Sequence, residues 1–319
     1  MSNHTEPTCP NDHTSDSLNI GNAAEKSPVD LKPRVWPLFA ISLAEVVFIS
    51  ILQGAFILAF LFATRGDGQS LQEAVRGLPS RLMHPPLFLL MLCLSGFSMI
   101  GFAFLFGRMS AKHRHISTIE RLGLQWPTIP LTSFLCLMIG SVPVLLISVG
   151  IVMLINMVLP GDETGLALYK DITNGWAVAL IVLIGVLPGF GEELFFRGFI
   201  QRRMLQRYRP SVAIGVTSAL FGLFHVTPHG IALATIIGVW LGVIAWRTNS
   251  IWPSVCCHAF INSGWNIYQV GRFNWGFPDV PPIWFGIVGS AVVLAAFAIS
   301  VRILRTQDPN LDQLRSEFA

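Results

Sequence analysis

Long apolar runs separated by short polar connections organise this chain. Runs of roughly 20 apolar residues read as helices able to cross a bilayer. Eight such segments occur, at 36–63, 86–106, 131–159, 176–200, 211–226, 230–246, 251–267 and 283–304. The pattern predicts an all-α fold, a polytopic membrane helix bundle of about eight transmembrane helices. The fourth, fifth and seventh segments are the least apolar. Pro188 with Gly189 and Gly191 interrupts the fourth, and a break there is tolerated only where protein or a cavity covers the freed backbone groups. A short interfacial helix is expected over 71–83.

Composition agrees with the pattern. The 319 residues are 52% hydrophobic and 12% charged, with a mean hydropathy of +0.60, whereas soluble domains carry about 25% charge. The net charge of +3 is small, and no basic block points to nucleic acid. Cys9, Cys93, Cys136, Cys256 and Cys257 have neither framework nor CxxC spacing, so no disulfide scaffold is expected. Residues 1–35 are polar and read as a disordered tail, without the basic region and short apolar core of a cleavable signal peptide. Asn3 begins a glycosylation sequon read as chance. The remaining organisation is N-terminal transmembrane helices over 36–175, a core segment over 176–267, and a last helix with a short tail over 268–319.

The connections carry the orientation signal. With a cytoplasmic N-terminus, fifteen Lys and Arg fall on the cytoplasmic side and five outside, Arg197 within the membrane being left out. This bias expects both termini in the cytoplasm of a plasma membrane, and the small size and compact loops look bacterial.

The least apolar helices hold three polar clusters: Glu192, Glu193 and Arg197; Phe221 and His225; His258 and Asn262. Ionisable groups are costly at membrane depth and persist there with a function or a partner. At 1.5 Å per residue, counted from the polar edges of their helices, Glu192 lies ~15 Å deep, His225 ~21 Å, His258 ~13 Å and Asn262 ~19 Å. All four therefore fall in one layer near the middle of a hydrocarbon core about 30 Å thick. Glu193 and Arg197 are four apart and share a helix face, so they can pair. Glu192 points about 100° away and has no local cation, which suits a general acid or base in a poorly solvated site. His258 and Asn262 face one way and can offer N–H donors to a developing oxyanion. His225 can orient a water with Glu192 or ligate a metal. Phe196 and Phe221 read as packing residues and Gly238–xxx–Gly242 as a close helix contact. Glu45 has no assigned role, and His229 is expected at the surface.

Glu-Glu-x-x-x-Arg, Phe-x-x-x-His and His-x-x-x-Asn, in that order over 176–267, resemble the CPBP intramembrane proteases. That family includes CAAX prenyl endopeptidases of the Rce1 type and bacterial homologues linked to bacteriocin immunity and peptide processing. The resemblance implies an intramembrane endopeptidase, commonly classed as a metalloendopeptidase. It implies Glu192 as the residue activating water and His225 as its partner. His258 and Asn262 would be the oxyanion pair, with Glu193 and Arg197 as supports. Glu192, His225 and His258 could supply three ligands to zinc or another divalent metal, although a metal-independent glutamate mechanism is also argued for the family. The expected partners are the bilayer and a membrane-associated protein or peptide: a prenylated or CAAX-like protein, a signal-like peptide, a bacteriocin leader or an anchored regulator. An ion- or proton-coupled carrier, or a silent peptide-binding scaffold, would also place polar groups at mid-depth. One helix break and the lack of an internal repeat weigh against the carrier, and the intact motif residues weigh against the scaffold.

Overall fold

The computed structural model describes residues 34–66, 68–111, 117–161, 164–278 and 283–307. The polar tail, with Cys9 and the Asn3 sequon, lies outside them except for its last two residues. Among the described residues there is helix and no strand. All eight expected segments are helical: α1 Trp36–Thr64, α2 Pro85–Ala111, α3 Leu131–Val158, α4 Asn174–Leu205, α5 Pro210–Leu223, α6 Pro228–Thr248, α7 Trp252–Asn274 and α8 Ile283–Thr306.

The exterior of the bundle is apolar. Phe39, Leu43, Val47, Ile51, Leu58 and Phe62 run along α1 and are all exposed. A soluble protein rarely leaves so continuous an apolar surface uncovered; hydrocarbon is the solvent such a face requires. Exposed Trp36, Trp126, Trp176 and Trp275 stand at or near helix ends, as amphipathic indoles do at membrane interfaces. The protein is an integral membrane protein.

Six helices are long and apolar enough to cross unaided. The other two are α5 and α7. The 14 residues of α5 span about 21 Å, and α7 carries Asn262, Asn266, Gln269 and Asn274. Both are held by partners, since α7 packs most extensively on α4 and α5 on α6. The largest core cluster centres on Leu194, Phe195, Phe196, Phe199 and Ile200 of α4. By contrast, α1 packs chiefly on α2 alone.

Four local expectations are corrected. The segment over 131–159 is two helices, Leu131–Ile139 and Val142–Val158. Pro143 starts the second, and a Cβ on Gly140 would meet Ser300 and the Ala296 carbonyl of α8. Ser141 at the break accepts from the Trp240 indole at 2.8 Å. In α4 the chain does not break at Pro188: the helix continues and widens into a π-helical stretch over Glu193–Gln201. His229 is half-buried rather than on the surface, with no hydrogen-bond partner for Nε2. The short helix expected over 71–83 is a pair, Leu71–Arg76 and Leu78–Leu82. The first is opened by Ser70 and Glu73 in reciprocal capping bonds, which lower the Glu73 pKa.

Two close approaches fix the frame around the polar layer. A Cβ on Gly191 would stand 3.0 Å from the Gly96 carbonyl, so α2 and α4 cross there in near-backbone contact. On the other side of α4, the Arg197 guanidinium donates to the Gly238 carbonyl at 3.0 Å and the Gln201 amide to the Gly242 carbonyl at 2.8 Å. The small-residue pair of α6 thus presents backbone oxygens to two buried side chains, and a Cβ at Gly242 would collide with Gln201.

Candidate active site

Glu193 anchors the layer. It is 0% exposed, Arg197 is 1% exposed, and the two form the ion pair expected from their i, i+4 spacing. The same Oε1 receives Nδ1 of His258 at 2.9 Å. A buried charge persists when paired and hydrogen-bonded, and here one carboxylate oxygen serves α4 and α7 together. With Nδ1–H of His258 committed to Glu193, Nε2 is the free atom of that ring. It faces Glu192, 3.7 Å from Oε2. The two adjacent glutamates are thus separated by environment. The Glu193 side chain is sealed, whereas that of Glu192 retains 18% exposure.

His225 reaches the layer through Phe221. Both histidine rings stand edge-on to that phenyl ring, His225 at 5.0 Å and His258 at 5.9 Å between centroids. The Arg197 guanidinium lies over it at 4.5 Å. Phe221 therefore packs, as expected, but packs between His225, His258 and Arg197. Nδ1 of His225 lies 3.1 Å from the Phe221 carbonyl, which can accept its proton and so leave Nε2 free. The turn beyond His225 puts Val226 at φ 60°, strained for a β-branched residue, and this fixes how α5 ends and α6 begins. Among the described residues no hydrogen bond joins His225 to Glu192.

Asn262 stands one turn beyond His258 on α7. Its amide donates to the Ile184 carbonyl at 3.4 Å. That carbonyl is available for a stated reason: the residue four positions on is Pro188, which has no N–H to offer. Pro188, read from sequence as a break, thus leaves an acceptor that holds Asn262. A further polar ladder supports α7. The Tyr169 hydroxyl donates to Asn266 at 2.7 Å, and Asn266 donates to the Asn262 carbonyl at 2.7 Å. Burial pushes the Tyr169 phenol up to about 12, so it remains a donor at any ordinary pH.

Metal binding is a question of geometry. The donor set implied by the resemblance is Glu192, His225 and His258. Among the described residues no three His, Cys, Asp or Glu side chains stand together closely enough to hold a metal ion. Nδ1–H donation would orient both histidines as metal ligands are oriented, but the three donors as placed do not fit a common centre.

Comparison with protein families then bears on exactly the segment that carries this layer: residues 174–264 match the family described as Type II CAAX prenyl endopeptidase Rce1-like. The matched segment is similar to an Rce1-like domain. It takes in α4 to the first part of α7 and contains Glu192, Glu193, Arg197, His225, His258 and Asn262. The match supports a CAAX-type intramembrane protease in general. No curated protein and no solved structure matches the chain.

Proposed function

We propose that the protein is an intramembrane endopeptidase that hydrolyses a peptide bond of a membrane-associated, CAAX-like protein or peptide, with Glu192 as the base that activates water. The observation that carries this reading is the contrast within the Glu192–Glu193 pair. Glu193 is fully buried and committed to Arg197 and His258, while Glu192 remains partly exposed, its Oε2 making no hydrogen bond and standing 3.7 Å from Nε2 of His258.

In this reading Glu192 takes a proton from water, and the hydroxide attacks the scissile carbonyl. The proton then passes to the departing amine, so the carboxylate is regenerated. His258 and Asn262 face the developing oxyanion. Donation from Nε2 of His258 requires both ring protons, and the resulting charge lies between Glu193 and Glu192. With Arg197 counted, two positive and two negative charges then balance in the apolar layer. His225 presents Nε2 to the water from the far side of Phe221. A substrate anchored in the bilayer would reach this layer without leaving the hydrocarbon.

The test is cleavage of a panel of lipid-anchored and unmodified peptides by purified protein in bilayer discs. Glu192→Ala is expected to lose about 10²–10⁴ of the rate while its melting temperature stays within a few degrees. Wild-type turnover in Glu192→Ala would remove Glu192 from this role.

A further inference from the structure

A second carboxyl lies in the same layer, on the helix that the catalytic reading does not use. Glu45 is in the middle of α1, is 0% exposed, and has no hydrogen-bond partner on either oxygen. Two other groups act on it: the hydroxyl of Ser98 on α2 and the carboxylate of Glu192 on α4. Ser98 is itself buried without a hydrogen-bond partner, and so is Oε2 of Glu192. Four polar atoms on three helices therefore come together without a formed hydrogen bond, Oε2 of Glu192 having only Nε2 of His258 at 3.7 Å and Glu45 only the Ser98 hydroxyl acting on it. The Gly96–Gly191 crossing explains the convergence, because it brings the α2 backbone against α4 beside Ser98 and Glu192.

Such atoms are expensive to bury alone, and buried polar groups that lack protein partners are characteristically bridged by ordered water. We propose that Glu45, Ser98 and Glu192 form a water-binding site behind the candidate base, and that Glu45 is a positioning residue for Glu192. Water bridging Glu45 and Ser98 to Oε2 fixes the rotamer of Glu192, leaving its other oxygen to meet the reacting water. His258 from α7 stands 3.7 Å from Glu192, and the charges of Arg197 on α4 and Glu45 on α1 interact with it. The proposal rests on Glu192 being the base and adds a role for α1, the most peripheral helix, which lies outside the family match.

Kinetics of Glu45→Leu, Glu45→Gln and Ser98→Val test it, with wild type and Glu192→Ala beside them. Glu45→Leu removes the polar end and is expected to lower kcat about tenfold or more with KM within about twofold, since only the base loses its orientation. Glu45→Gln keeps polar atoms for the water and is expected to lose less than about threefold. Ser98→Val is expected to fall between them, and it decides the matter if Glu45→Leu does not fold. Wild-type kcat in Glu45→Leu, or an equal loss in Glu45→Gln and Glu45→Leu, overturns the water site. So does wild-type kcat in Ser98→Val. Activity retained by Glu192→Ala overturns the base assignment instead, so the two failures are told apart.

Discussion

Arg197→Gln is the perturbation with the sharpest expected consequence. Glu193 is sealed from solvent, its Oε1 is shared by Arg197 and His258, and its Oε2 has no partner. Removing the guanidinium leaves a buried carboxylate against one imidazole. It also deprives the Gly238 carbonyl of its second donor. Breaking a buried pair from one side costs about 3–5 kcal/mol, a large share of a stability of about 5–15 kcal/mol. At about 1.4 kcal/mol per tenfold, the folded-to-unfolded ratio falls roughly a hundredfold to a few thousandfold. The double variant Glu193→Gln, Arg197→Met removes both charges, and its stability is expected to return to within about 1–2 kcal/mol of wild type. Cleavage is not expected to return with it, because Nδ1 of His258 then faces a neutral amide. Thermal unfolding and peptide turnover, measured on the same detergent-solubilised samples, separate the two effects. A single variant as stable as the double would refute the account, as would a double variant with wild-type kcat.

Two further outcomes follow from the same geometry. Pro188→Ala restores an N–H four residues after Ile184, so that carbonyl bonds within its own helix and Asn262 loses its anchor; kcat is expected to fall about tenfold or more with melting unchanged or raised, and a normal kcat would dissociate Asn262 from Pro188. Since among the described residues no three donors converge on a common centre, turnover is expected to survive prolonged treatment with a strong divalent chelator; loss of activity restored by added zinc would instead assign Glu192, His225 and His258 as ligands formed on rearrangement.

The helices were legible because lipid-facing and core-facing positions are both apolar, so length alone marks a span. The Glu193–Arg197 pair was legible because it is local: four residues on one helix. Counting depth placed the polar clusters in one layer, and the structure joins Glu192, Glu193 and His258 directly. What sequence could not supply were the partners across helices. Nothing local says that His258 bonds the second glutamate through Nδ1, or that Phe221 stands between two histidines. Pro188 was read as a disruption, whereas its effect is to free a carbonyl for an asparagine 74 positions later. Glu45 has no role that the sequence assigns, and its neighbours Ser98 and Glu192 depend on which face of α1 meets α2. The break at Gly140–Ser141 was hidden because the apolar run continues through it.

The bonds from Arg197 to Gly238 and from Gln201 to Gly242 have a mechanical consequence. Donors and acceptors are each four residues apart, so the two helices mesh like a pair of teeth in a pair of notches. Sliding α6 along α4 by one turn, about 5.4 Å, would leave one tooth engaged and the other in apolar surroundings; sliding by less would engage neither. Their relative position is therefore set in discrete steps rather than along a continuum. Since Arg197 also holds Glu193, that step size calibrates where Glu192 and His258 meet.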